Sequence, residues 1–157
     1  MLDRRRFLTV LGASGTTLAA GRAFAQAALP KVVVTKDPNC GCCGGWVEHM
    51  KAAGFPVEVV TTPQVNWVKV RLGVPDALAS CHTAEVGGYV IEGHVPADAV
   101  KRLLAEKPQA KGLAVPGMPV GSPGMEVKGV ENDTYEVVLF GPSGQTTFAR
   151  YQGVSPV

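Results

Sequence analysis

The stretch VVVTKDPNCGCCGGWVEHMKAAG, residues 32–54, carries the topology of the chain, and the rest is read outward from it. Val32-Val33-Val34 is a short β-branched run of the kind that forms a buried strand. Lys36-Asp37-Pro38-Asn39 is turn chemistry, and a cysteine cluster follows at once. From about Gly45 to Ala53 the pattern becomes helical, with Trp46, Val47, Met50 and Ala53 on the apolar side and Gly54 as the stop. The order is therefore strand, cysteines, helix.

Downstream the alternation continues. Val57-Glu58-Val59-Val60 reads as a second strand. Thr62 and Pro63 open a second helix whose inward positions are Val65, Val68 and Leu72, closed by Gly73 and Pro75. Thr83–Val86 and Tyr89–Ile91 flank Gly87-Gly88 as a tight hairpin. Pro96 opens a third helix with Val100, Leu103 and Leu104 inward. A β-α-β start calls for a parallel strand pair with a right-handed crossover. The whole order, β-α-β-α-β-β-α over residues 31–107, resembles the thioredoxin fold of the α/β class. Residues 112–157 form an extension: a Pro/Gly-rich loop from Val115 to Met125, then a hairpin around Gly141-Pro142-Ser143-Gly144. Residues 26–157 are expected to be one domain.

The first 25 residues read as an export signal. Arg4-Arg5-Arg6-Phe7-Leu8 precedes an uncharged run from Thr9 to Gly21, and Ala23-Phe24-Ala25 supplies a small-residue cleavage site. The arginine run resembles a twin-arginine signal, which addresses proteins to the periplasm and does not anchor them. Cleavage near Ala25 removes four arginines and Asp3, leaving eleven Lys and Arg against twelve Asp and Glu, a net charge of −1. The basic balance of the whole chain thus belongs to the signal, and nothing points to a nucleic-acid partner. No later segment is apolar enough for membrane insertion.

All four cysteines, Cys40, Cys42, Cys43 and Cys81, lie in the exported part. An even count in an oxidising compartment usually means structural disulfides. The spacing argues otherwise. Cys40 and Cys43 have redox Cys-x-x-Cys spacing, but Cys42 is an added sulfur inside it, and adjacent Cys42-Cys43 suits a disulfide framework poorly. Structural zinc sites offer separated ligand pairs. Here three sulfurs crowd one loop at a helix start, where unpaired N–H groups and the helix dipole favour thiolate. Crowded thiolates suit several soft ions, Cu(I) foremost. The topology brings Cys81, at the start of the third strand, onto this loop. Thioredoxin-like proteins carry a cis-proline there; this chain has Ser80-Cys81-His82-Thr83.

Softer candidates surround the four sulfurs. Pro116-Gly117-Met118 and Pro123-Gly124-Met125 echo each other seven residues apart and present two thioethers from a loop. His82, His94 and His49 are possible imidazole ligands. Strand alternation turns His82 away from the cluster if Cys81 faces it. Glu85 and Glu92 read as solvated residues, and Met50 as core.

Cys-Gly-Cys-Cys-Gly-Gly-Trp-Val-Glu-His-Met at 40–50 resembles the CopG-type copper-resistance family. So do Ser-Cys-His-Thr at 80–83, Gly-Tyr-Val-Ile-Glu-Gly-His-Val-Pro at 88–96, and Gly-Leu-Ala-Val-Pro-Gly-Met-Pro-Val-Gly-Ser-Pro-Gly-Met-Glu at 112–126. The resemblance implies a periplasmic thioredoxin-like domain holding a cysteine-bridged copper cluster, on Cys40, Cys42, Cys43 and Cys81, in copper homeostasis. It also implies interconversion of Cu(I) and Cu(II), with other periplasmic copper-handling or electron-transfer proteins as partners. Two rival readings stand beside it: a passive copper store or chaperone, and a thiol–disulfide oxidoreductase using Cys40 and Cys43.

Overall fold

The computed structural model describes residues 28–157. The export signal expected at residues 1–25 lies outside the described residues. Among those described, no helix is long and apolar enough to cross a membrane.

The described residues are mixed α/β, with one eight-stranded sheet and three α-helices among them. In chain order these are β1 (Val32–Lys36), α1 (Cys42–Ala52), β2 (Val57–Thr61), α2 (Val65–Leu72), β3 (His82–Val86), β4 (Tyr89–Gly93), α3 (Ala97–Glu106), β5 (Gly112–Val115), β6 (Thr134–Gly141), β7 (Gly144–Gln152) and β8 (Ser155–Pro156). The sheet order is β2-β1-β3-β4-β5-β6-β7-β8. β1 pairs parallel with β2, through the α1 crossover, and antiparallel with β3. β3 and β4 form the Gly87-Gly88 hairpin. β5 pairs parallel with β4, reached through α3, and joins the β6–β7 hairpin to the sheet. The extension therefore continues the same sheet.

Alternation along the strands splits the core between two faces. On one face Val32, Val34, Ala84, Ile91 and Leu113 pack with Trp46, Val47 and Met50 of α1 and Val100 and Leu103 of α3. On the other, Val90, Ala114 and Phe140 pack with Val74 and Leu78. Met50 belongs to the first face and is fully buried, as its helical position required.

Two elements and one residue depart from expectation. α1 begins at Cys42, not at Gly45, so two cysteines lie inside its first turn. Burial of Trp46, Val47 and Met50 drives the helix back through Gly44-Gly45, which local propensity alone would leave as loop. α2 begins at Val65, and the Thr62 hydroxyl accepts the Gln64 N–H one turn before it, so Thr62 and Pro63 lead into the helix without belonging to it. Its buried face includes Lys69 beside Val65. Glu92, read as solvated, is fully buried, because it is the partner of that lysine.

Candidate metal centre

β1 ends and the chain turns at Asp37, whose side chain accepts the Asn39 N–H and whose carbonyl accepts the Cys40 N–H. That turn delivers Cys40 to the start of α1. Gly41 at the helix start offers no side chain to cap it, so no side chain satisfies the first N–H groups of α1 from that position. Cys40 and Cys43 are joined by a disulfide, while Cys42 and Cys81 are free. The expectation of four thiolates therefore meets a site in which two sulfurs are already paired. The spacing that favours metal also leaves Cys40 and Cys43 one helical turn apart, within bonding reach.

Cys81 lies just before β3, and the topology folds it onto this loop. Its Sγ is 3.8 Å from Cys42 Sγ, and Cys42 Sγ is 3.6 Å from Cys40 Sγ. The ligand atoms of Cys40, Cys42, Cys43 and Cys81 all lie within 4.8 Å of one another. Cys81, His82 and His94 form a second such group sharing the same sulfur.

The imidazoles surround Cys81. His94 Nε2 is 3.1 Å from Cys81 Sγ, and its Nδ1 is 2.7 Å from the Pro123 carbonyl oxygen. A carbonyl can only accept, so Nδ1 carries the proton and Nε2 presents a lone pair to the thiol. His82 Nδ1 is 3.3 Å from the same sulfur. Its side chain does not turn away, as alternation suggested, because β3 begins at His82 and Cys81 still has loop geometry. The His82 ring is completely buried against Trp46 and His94, and its Nε2 has no hydrogen-bond partner. His49 is elsewhere: its Nε2 accepts the Ala97 N–H at the start of α3, and it joins neither group.

Burial governs the proton affinities here. It pushes the Cys81 thiol up to about 12, with the neighbouring Cys42 adding to the shift. Burial also holds His82 well below its ordinary pKa and lowers His94 and His49. Without a cation, then, Cys81 is a protonated thiol facing neutral imidazoles. A soft cation bound at Cys81 would have to displace that proton.

The wall opposite α1 comes from the extension. An ideal Cβ on Gly45 would sit 2.7 Å from Gly124 Cα, and one on Gly124 would sit 2.6 Å from Trp46 N. The two backbones touch there, and only glycine permits it. Gly124 donates its N–H to Glu126, and Gly121 donates to the Met125 carbonyl. Met125, half-buried, follows the contact directly. Met118 is exposed and holds a left-handed backbone conformation (φ 54°). Residue-by-residue reading passed over Glu126, Ser80 and the Lys69–Glu92 pair. A lysine in helical register with Val65 and Leu72 was the available signal for that pair.

Sulfur and imidazole gathered at a helix start define a mixed α/β protein with a candidate soft-metal centre. Residues 78–125 match a family described as protein of unknown function DUF411. No curated protein matches the chain. Two solved structures do, copper resistance protein CopG in form 1 and form 2, each 44% identical with a TM-score of 0.73. Form 1 covers 80% of this chain and 99% of its own; form 2 covers 78% and 98%. The chain belongs to the CopG copper-resistance family. Membership and the four-sulfur group together support a copper-related role.

Proposed function

We propose that this chain is a periplasmic copper-binding protein with a thioredoxin-like core, holding several copper ions on Cys40, Cys42, Cys43 and Cys81 and interconverting Cu(I) and Cu(II). The observation that carries the reading is four sulfurs within 4.8 Å at the start of α1. The unpartnered, buried Nε2 of His82 and the lone pair on His94 Nε2 supply nitrogen donors of the right chemistry beside them. Met118 and Met125 are proposed as thioether donors from the extension. The order β-α-β-α-β-β-α with sheet order β2-β1-β3-β4 supports the thioredoxin-like reading of the core.

Occupancy by four thiolates requires the Cys40–Cys43 disulfide to open. A dithiol reductant supplies two electrons and two protons, its own sulfurs pairing as Cys40 and Cys43 become thiols. Copper bound there supplies one-electron chemistry between its two oxidation states. The protein's part is to exclude water, share charge over several sulfurs and keep the imidazoles neutral. Export by the amino-terminal signal places this chemistry in the periplasm, with copper-handling or electron-transfer proteins as partners.

Elemental analysis of the reduced, copper-exposed protein, paired with a free-thiol count, tests the reading. More than one copper per chain is expected, with all four thiols masked. One copper or none, with thiols free, overturns it.

One observation favours a second reading, thiol–disulfide exchange. Cys40 and Cys43 are already a disulfide, and the free Cys42 lies 3.6 Å from Cys40 Sγ. Cys42→Ser separates the two, since it leaves exchange through Cys40 and Cys43 intact and removes a bridging sulfur from the copper site.

A further inference from the structure

Beneath the sulfur loop lies a charged pair that copper binding as described does not use. Lys69 is 4% exposed and Glu92 is fully buried, and the two form an ion pair. Two further donors converge on the same carboxylate oxygen. The Ser80 N–H reaches Glu92 Oε1 at 2.6 Å and the Ser80 hydroxyl at 2.7 Å. Three donors on one oxygen, with Oε2 left unpartnered, form an arrangement built around Ser80. Gly93 completes it. An ideal Cβ there would meet Ser80 Oγ at 2.7 Å and Ser80 Cβ at 3.0 Å, so its missing side chain makes the cradle in which Ser80 sits. The next residue, His94, touches Cys81. Thus Glu92-Gly93-His94 at the end of β4 grips Ser80-Cys81 just ahead of β3.

We propose that Glu92, pinned by Lys69, is a positioning residue that fixes Ser80 and thereby aims the Cys81 thiol at the Cys40–Cys42–Cys43 loop. The inference rests on the copper-site reading above. Cys81 is outside any strand or helix. It is the one site cysteine not carried by the loop and first turn at residues 40–43. Its placement needs an anchor, and Ser80 is the adjacent residue held by a buried charge. A buried ion pair is an expensive way to gain stability, and apolar substitutes often serve as well. Holding a ligand in place is a different task, and outer partners of ligands commonly set metal affinity.

The test uses the full chain with Cu(I) delivered from a coloured competing chelator. Lys69→Met with Glu92→Leu removes both charges and the acceptor together, so that no lone buried ion remains. Cu(I) affinity is expected to fall about tenfold or more. With the Cys40–Cys43 disulfide intact, alkylation of Cys81 relative to Cys42, read by mass spectrometry, is expected to rise severalfold as Cys81 leaves its pocket. Restoring the acceptor as Lys69→Met with Glu92→Gln is expected to recover both readouts. A folded apolar pair with unchanged affinity and unchanged alkylation ratio overturns the proposal. If that pair does not fold, Glu92→Asp carries the same test, because it keeps the charge and withdraws the acceptor by one methylene. Wild-type chain that takes up no Cu(I) defeats the copper-site reading instead. Normal uptake with indifferent variants defeats only the positioning role.

Discussion

Two adjacent glycines in α1 have opposite duties. A methyl on Gly44 would meet nothing within 4 Å, whereas on Gly45 it would strike the Gly124 backbone. Gly44→Ala is therefore expected to stabilise the protein by about 0.5–1 kcal/mol through helix propensity. Gly45→Ala is expected to cost about 1–3 kcal/mol, because backbone must move aside. Denaturant midpoints of the two variants check the contrast; equal effects would mean that the α1–loop contact is not tight. His49 gives a pH signature at the same scale. Burial lowers its folded pKa below 6.5, and its Nε2 must be unprotonated to accept the Ala97 N–H. The unfolded chain then binds more protons than the folded one as pH falls below 6.5, so stability is complete above that value and declines beneath it. Metal-free protein should melt at a lower temperature at about pH 5 than at about pH 7.5, with a shallower fall in His49→Gln. A melting temperature insensitive to pH over that span would contradict the neutral role given to His49.

Among the elements, α1 ties the sulfur loop to the rest of the molecule through Trp46. Its ring is fully buried against His82, and its Nε1 donates to the Val95 carbonyl at 2.8 Å, just ahead of α3. Trp46→Phe keeps most of the apolar contact and leaves that carbonyl unpaired, so a loss of about 1–3 kcal/mol is expected by chemical unfolding. A neutral outcome would show that water takes over the bond. The same helix marks how far sequence reading reaches. The apolar positions Trp46, Val47 and Met50 were legible because period and burial agree. The helix start was not, since Cys42-Cys43-Gly44-Gly45 has weak propensity and is helical only through what Trp46 and Met50 bury. The Gly87-Gly88 hairpin was legible from turn chemistry alone. Cys81 could be assigned to the sulfur loop from strand order. The orientation of His82 could not, because it depends on which residue opens β3. Glu92 was misread because its partner, Lys69, is distant in sequence and meets it only after the sheet forms.

For the whole molecule, ligand binding and stability are one quantity. A cation that binds only the folded, reduced site raises the unfolding free energy by an amount set by its concentration relative to Kd, about 2.7 kcal/mol at a hundredfold excess over Kd. Melting of the reduced protein should therefore shift upward with Cu(I) and return with a strong cuprous chelator. The oxidised protein, with Cys40 and Cys43 in their disulfide, should shift much less. Equal shifts in both forms would mean that the metal engages donors other than this pair.

The touching backbones at Gly45 and Gly124 also bear on how the molecule is made. The sulfur loop leaves the ribosome early, but the wall that closes over it is synthesised some eighty residues later, along with the Pro123 carbonyl that orients His94. A nascent chain stopped before that point displays its thiols on an open ledge, with His94 free to take the wrong tautomer. The four sulfurs therefore gain their covering wall only once the chain has been made past Gly124, and under the copper-site proposal a native site would be complete only then.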